Sequence, residues 1–476
     1  MRVDLFIGGK WVPAKRYLTV EMPYDGSPVG EAPRADEAEV AAAVAAAKAA
    51  KADAAGRTAY ERYQWLTKAA AVLLERRDAL APVLASESGK PLREARTEVE
   101  RSAQTLVWSA EEAKRIHGEV WSVDAHPVGR GRFGMTLRRP RGVIAAVTPF
   151  NFPLNLVCHK VGPALAAGNT VVLKPAEKTP LIAHKFAEVI AAAGVPDGYF
   201  NVVCGLGTEI GAFLAGHPDV DMLTFTGSGA VGRILRAAAG VKPVTLELGG
   251  NSAVIIDADA DLDLALERAK IGGFSNSGQV CIHLQRAYVD ESRAEEFRAR
   301  LAASASAMKV GHPLDDSAEV TSLITPTAAE RVDGWVREAV SAGARLLTGG
   351  GRSGRATVAP TVLADTPPEA RVVSDEIFGP VVTVHGFRGL EQAIEQANRG
   401  RLGLHAGIFT RDLDKALYAA ERLEAGGVMI NDVPTFRVDQ MPYGGTKESG
   451  IGREGPKYAI EEMTDLRAVV INRGRR

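Results

Sequence analysis

The chain has 476 residues, 46% hydrophobic and 24% charged, an ordinary globular composition long enough for two or three domains with sizeable cores. A formal net charge of -1 supplies neither the basic field that attracts nucleic acid nor a polybasic patch for a membrane, so neither partner is expected. No apolar run approaches the roughly 20 residues of a membrane span, and Met1-Arg-Val-Asp-Leu-Phe-Ile7 lacks the apolar core of a signal peptide, so the expected location is cytoplasmic.

Phe6-Ile-Gly-Gly-Lys-Trp-Val12 reads as a hairpin about a Gly-Gly turn. Residues 36–51, 59–77 and 98–116 carry helical periodicity. Ala41 to Ala55, broken by Lys48, Lys51 and Asp53, is a surface helix on this reading. Residues 120–139 are polar, glycine-containing and locally alternating, as in a protruding β-ribbon. From Gly142 strands alternate with helices. Strands are expected at 143–147, 170–174, 200–204, 222–226 and 244–248, with helices at 155–167, 180–193, 209–215 and 231–239. That alternation predicts a parallel α/β sheet. A second α/β unit begins near Ser252, with strands at 253–256, 286–289 and 381–384 and helices at 262–270, 295–307 and 390–398. Residues 468–472 form a last strand candidate.

Cys158, Cys204 and Cys281 are too few and too widely spaced for a disulfide framework or a zinc site, and inert burial is the default for each. Gly227-Ser-Gly229-Ala-Val-Gly232 follows a strand and opens a helix, the setting in which G-x-G-x-x-G lets backbone approach a pyrophosphate. The acid about 20 residues beyond such a turn commonly holds a ribose hydroxyl, and by distance alone that acid is Glu247. Gly205 to Gly211 has one residue too many for the pattern and reads as a loop and helix start.

Seven motifs now stand in order: Thr148-Pro-Phe-Asn-Phe-Pro153, Lys174-Pro-Ala-Glu177, Phe225-Thr-Gly-Ser228, Glu247-Leu-Gly-Gly250, Gly278-Gln-Val-Cys281, Glu376-Ile-Phe-Gly-Pro380 and Pro442-Tyr-Gly-Gly445. Together, and nearly end to end, they resemble the aldehyde dehydrogenase superfamily. The texture is most similar to its lactaldehyde, phosphonoacetaldehyde and non-phosphorylating glyceraldehyde-3-phosphate dehydrogenase subgroup, whose members oxidise small polar or anionic aldehydes. The resemblance implies an α/β fold with a Rossmann-like cofactor domain at 1–119 and 140–251 and an α/β catalytic domain at 252–445. A β-ribbon oligomerisation arm would combine 120–139 with 464–473. A lone ribbon is marginal and its open edge needs cover, so a homodimer or homotetramer is expected.

The resemblance also implies roles. Cys281 is the nucleophile that attacks the aldehyde carbon. Asn151, with the backbone N–H of Cys281, forms the oxyanion hole. Hydride passes to the nicotinamide, and Glu247 is the general base that activates water to release the acid, not a ribose ligand. Lys174 and Glu177 hold the adenosine ribose, a pairing that favours NAD while leaving NADP possible. Glu376 binds the nicotinamide ribose and Phe378 packs near the ring. Thr148, Pro149, Phe150, Ala176, Gly207, Phe225, Thr226, Gly227, Ser228, Val231 and Leu248 complete the cofactor site.

Trp108, His159, Ile282, Phe436 and Arg437 are substrate candidates. For His159 a structural hydrogen bond is an equal reading; for Trp108, core packing. Arg101 and Arg437 are further anion-binding candidates, with surface salt bridging the favoured reading. Lys160 and Lys178 read as solvated surface charges. A Cys158–His159 dyad is not expected, because adjacent helical residues point in different directions. Asn251 stands where the family commonly has Lys. Glu247 argues against release of the acyl group to coenzyme A, and the joint presence of Cys281, Asn151 and Glu247 argues against a catalytically silent binding protein.

Overall fold

The computed structural model describes residues 1–474. An eight-stranded sheet organises the first part of the chain, in the order Lys10–Val12, Leu5–Ile7, Phe200–Val202, Thr170–Lys174, Val143–Val147, Met222–Thr226, Val244–Glu247, Gly450–Ile451. The five central strands run parallel, and every residue of them is buried, which is why they read as continuous apolar runs rather than alternating ones. The edges depart from the expected all-parallel sheet. The N-terminal hairpin and Gly450–Ile451 both join antiparallel.

The second sheet has seven strands, ordered Arg345–Thr348, Thr361–Ala364, Val381–Phe387, Leu284–Asp290, Ser252–Ile256, His405–Phe409, Gly427–Ile430. It too is parallel except for the first strand. Helices cover both faces of each sheet, and separate apolar clusters fill those faces.

The ribbon region and the last strand come together in a three-stranded sheet. Arg132–Pro140 pairs along its whole length with Thr464–Asn472, and only Val120–Trp121 lies on its other side. Two 3-10 turns occupy Val123–Gly129, where Pro127 lacks the N–H a ladder needs. The helix expected from residue 98 starts at Leu92, directly after Pro91. Helices Arg77–Ser88, Pro326–Ser341 and Leu413–Arg422, unassigned from sequence, are also present.

The turns that leave the parallel strands at their carboxyl ends gather on one side of the first sheet. They carry Thr148–Asn151, Lys174–Glu177, Thr226–Ser228 and Glu247–Gly250, which is where open α/β sheets form their crevice. At Gly249 and Gly250 the chain crosses to the second sheet. A Cβ at Gly250 would lie 2.3 Å from the Cys281 carbonyl, and one at Gly249 would lie 2.2 Å from Glu376 Oε2. These two glycines let the halves of the molecule close on each other.

Candidate active site

Cys281 sits just before the strand Leu284–Asp290, after a turn in which Asn276, Ser277 and Gly278 all have positive φ (49°, 55° and 73°). Two consecutive non-glycine residues in that region cost energy and persist only where their surroundings hold them. Here the holding bonds are explicit. Asn276 Nδ2 donates to the Asn151 carbonyl (3.0 Å), and Thr321 N donates to Ser277 Oγ (3.0 Å). Gln279 Oε1 accepts from Ile324 N at 2.9 Å. The turn is thereby tied to the loop after Val143–Val147, and it delivers Cys281 to the crevice.

Asn151 is buried, and its Nδ2 donates to the Gln279 carbonyl at 3.0 Å, two residues from Cys281. An amide carries two N–H donors, so one remains for a ligand. Cys281 opens onto a cavity of about 240 Å³ whose wall includes Arg101, Arg268, Val280, Ile282, Arg437 and Tyr443. Burial pushes the thiol up to about 11, against the pull of Tyr443's hydrogen bond and Arg437's charge. Cys281 is therefore a thiol at neutral pH and needs help to ionise.

Glu247 ends its strand almost wholly buried, and neither carboxylate oxygen has a hydrogen-bond partner among the described residues. Burial, then the neighbouring Glu454, raise it well above the usual carboxylate range. Glu454 goes the other way. Burial opposes its ionisation, but Lys160, His159 and Arg437 outweigh that and hold it low. Of these two buried carboxyls one is thus ionised and paired, while the other is poised to keep a proton.

The cofactor-side residues fall along the rim. Lys174 Nζ donates to the Pro175 carbonyl (3.1 Å) and lies 3.6 Å from the Glu177 carboxylate; Ala176 occupies the loop between them. Thr148 N donates to the Lys174 carbonyl at 3.2 Å. Pro149 leads into Phe150, which meets Phe378 edge to face at 5.8 Å. Glu376 Oε1 accepts from Gly250 N at 3.1 Å, and burial pushes its carboxyl up to about 7. Ser228 caps the helix Gly229–Ala239 by accepting from Val231 N.

The glycines of the fingerprint divide by role. A Cβ at Gly227 would strike the Phe225 ring at 2.5 Å, and one at Gly232 would strike Leu248 at 2.8 Å. Thr226 Oγ1 faces Glu454 at 3.4 Å. By contrast, Gly207 and Gly229 open onto free space. A Cβ at either would meet nothing closer than 4.0 Å, and the atoms at that distance are Lys174 Nζ and Arg233 Nη2. Two open glycines beside cations, at the first residues of two helices, fit the phosphates of a dinucleotide.

Three substrate candidates stand off the cavity wall. His159 is fully buried, its Nε2 3.0 Å from Asp439 Oδ1; burial lowers it, and it stands behind Arg437 rather than on the cavity wall. Trp108 is on the helix that lines the cavity, but that wall is made about two to four turns earlier by Glu94, Thr97, Glu98 and Arg101. Phe436 is not part of the cavity wall and is 41% exposed. Ile282 and Arg437 do line it.

Two charge assignments also change. Lys160 is not a solvated surface charge: it is buried, with Nζ 2.7 Å from Glu454 Oε1 and 3.1 Å from Thr224 Oγ1. Lys178 is exposed as expected. Arg437 is not a surface salt bridge either. Its side chain is 7% exposed, its guanidinium stacks 3.7 Å from the Tyr443 ring centroid, and its Nε has no partner among the described residues. Arg101 pairs with Asp439 at 2.9 Å while also facing the cavity. Cys158 and Cys204 are buried, as expected of inert thiols.

Sequence reasoning assigned no role to Tyr443, Glu454, Asp439 or Asn276. Only Tyr443 had a signal, its place in Pro442-Tyr-Gly-Gly445.

Comparison with known proteins agrees with this geometry. The aldehyde dehydrogenase family model matches residues 11–469. The chain is 47% identical over 470 residues to the 3-sulfolactaldehyde dehydrogenase of Priestia aryabhattai, covering 98% of each protein. Its fold superposes with a TM-score of 0.96 on aldehyde dehydrogenase 21 of Physcomitrella patens solved with the reaction product succinate, at 40% identity and covering 99% of this chain and 98% of that one. It matches the glyceraldehyde-3-phosphate dehydrogenase GapN of Methanocaldococcus jannaschii, solved with NADP, with a TM-score of 0.92, 38% identity, and 96% and 100% coverage. No helix among the described residues is long and apolar enough to cross a membrane. The chain therefore belongs to the aldehyde dehydrogenase family, as an oxidoreductase that converts an aldehyde group to the acid with NAD or NADP.

Proposed function

We propose that this enzyme oxidises a small anionic aldehyde through a thioester on Cys281 that is released by water. The observation that carries the reading is Glu247. It is a buried carboxyl with both oxygens unpartnered, beside the nucleophile and close enough to influence its ionisation. A carboxyl kept free at that cost of desolvation suits a general base.

The chemistry follows from the side chains. The Cys281 sulfur attacks the aldehyde carbon, and the oxygen that becomes anionic is received by the free amide N–H of Asn151 and the backbone N–H of Cys281. Loss of one such donor costs about 3–4 kcal/mol of transition-state stabilisation. A nicotinamide held in this crevice would supply the hydride acceptor. Glu247, in its ionised form, then takes a proton from the water that opens the Cys281 thioester. Thr148, Pro149, Phe150, Lys174, Ala176, Glu177, Gly207, Phe225 to Ser228, Val231, Leu248, Glu376 and Phe378 would hold the dinucleotide. Glu177 accepts from ribose hydroxyls and would repel a 2′-phosphate, while Lys174 beside it offsets that repulsion, so NAD is preferred and NADP tolerated.

An anionic substrate is favoured because Arg437, Arg101 and Arg268 converge on the cavity, and Arg437 keeps a buried unpartnered N–H there. Two of the relatives described above are named for sulfonated and phosphorylated aldehydes. Residues 1–119 and 140–251 serve as the cofactor domain, 252–445 as the catalytic domain, and 120–139 with 464–473 as the arm of a homodimer or homotetramer.

NADH or NADPH absorbance with lactaldehyde, glyceraldehyde 3-phosphate, phosphonoacetaldehyde, succinic semialdehyde and benzaldehyde tests the assignment. Anionic members should win on kcat/KM. Cys281→Ala should abolish turnover and retain cofactor binding; activity in that variant would remove Cys281 from the mechanism. Glu247→Gln should give one burst of reduced cofactor and then stall. Unchanged steady-state turnover would return Glu247 to a structural role.

A further inference from the structure

Tyr443 is 2% exposed, and its hydroxyl lies 2.8 Å from Cys281 Sγ across 162 residues of sequence. Among the described residues that sulfur is the hydroxyl's one hydrogen-bond partner. The ring is fixed on two sides: the Arg437 guanidinium stacks 3.7 Å from its centroid, and His405 meets it edge-on at 5.0 Å. Its backbone is fixed as well. Tyr443 N donates to the Glu454 carbonyl (3.0 Å), and Glu454 N donates to the Tyr443 carbonyl (2.7 Å). The next residue, Gly444, has φ +152°, and a Cβ there would lie 3.0 Å from Glu247 Oε1. One rigid segment therefore touches both the nucleophile and the base.

We propose that Tyr443 is a catalytic residue whose O–H donates a hydrogen bond to the Cys281 sulfur and so stabilises the thiolate needed for attack. Burial, and the electron-rich sulfur beside it, keep the phenol protonated well above its ordinary range, so it is a donor at every working pH. A neutral thiol accepts such a bond weakly, whereas a thiolate accepts it as a charge-assisted bond of roughly twice the strength. The bond thus gains value when Cys281 ionises, which favours the ionised form. Tyr443 gives up no proton in the process. The same contact aims Sγ toward the cavity, because phenol and thiol hold each other in one rotamer.

This inference rests on Cys281 being the nucleophile, and its test reads the thiol directly rather than turnover. Tyr443→Phe removes only the hydroxyl and leaves the ring under Arg437. The rate of Cys281 carboxamidomethylation by iodoacetamide is measured against pH on cofactor-free protein, by the mass of the Cys281 peptide; Cys158 and Cys204 are buried. The profile should move up by about one pH unit, so that alkylation at pH 7.5 slows about tenfold. kcat/KM for the aldehyde should fall in step, while the Kd for NAD stays constant. Site-specific 3-fluorotyrosine at position 443, a more acidic donor, should move the profile the opposite way. An unmoved profile in folded Tyr443→Phe protein overturns the proposal and leaves the ring a packing role. If Tyr443→Phe does not fold, the fluorinated variant decides alone: a downward shift supports the hydrogen bond, and no shift overturns it. Activity surviving in Cys281→Ala would instead sink the reading of Cys281 itself.

Discussion

Replacing Lys160 by Met separates two pictures of the charges behind the site. Lys160 and Glu454 are 0% and 2% exposed in their side chains, 2.7 Å apart, and Lys160 also donates to Thr224 Oγ1. Exposed ion pairs are worth about 0–1 kcal/mol, whereas removing one member of a buried pair leaves an uncompensated charge and costs about 3–5 kcal/mol. Arg437, 3.5 Å from the Glu454 carboxylate, supplies part of the missing charge and sets the expectation at the lower end of that range. The loss should appear as a lower urea midpoint for Lys160→Met, and most of it should return in Lys160→Met/Glu454→Gln, where no orphan charge remains. Lys160 is also one of the charges that pull Glu247 downward. Without it Glu247 rises further, and the base-dependent limb of the kcat profile should shift to higher pH. A variant within about 0.5 kcal/mol of the parent, with an unmoved profile, would refute the argument.

Gly227→Ala should cost about 1–3 kcal/mol of stability and weaken cofactor binding, since its Cβ would sit 2.5 Å from the buried Phe225 ring; unchanged melting and unchanged Kd for NAD would show that the turn relaxes freely. Glu376 ionises only above about 7, so the KM for cofactor should fall as pH rises through that value, and Glu376→Gln should flatten the dependence. Because its folded value lies above its ordinary 4.5, its contribution to stability is full below that point and is lost as pH rises through about 7, a trend the Gln variant should also lack in urea titrations. Val470→Asp should dissociate the proposed oligomer in sedimentation, since Leu466, Val470 and Ile471 are 60%, 49% and 47% exposed on one long strand; an unchanged sedimentation coefficient would remove the strand from the interface.

What the sequence by itself determined is local. The turns after parallel strands were legible because buried strands write themselves as apolar runs and the turns that follow need particular residues: Gly227 where Phe225 crowds the backbone, Ser228 where a helix must be capped, Glu247 at a strand end. The tie of Cys281, Asn151 and Glu247 to one chemistry came from motif order along the chain. Tertiary structure decided whatever depends on distant partners. The helix Asn155–Ala166 is buried on every side, so no amphipathic stripe distinguishes His159 and Lys160 from solvated residues; only Asp439 and Glu454, some 280 and 294 positions away, show what they are for. Trp108 shares a helix with the cavity wall but lies beyond the turns that form it, because membership of a helix does not fix the point where a cavity opens on it. The hydroxyl on the Cys281 sulfur is likewise invisible in sequence. A hydrogen bond has no sequence signature when the chain between its partners must first fold into a second sheet and return.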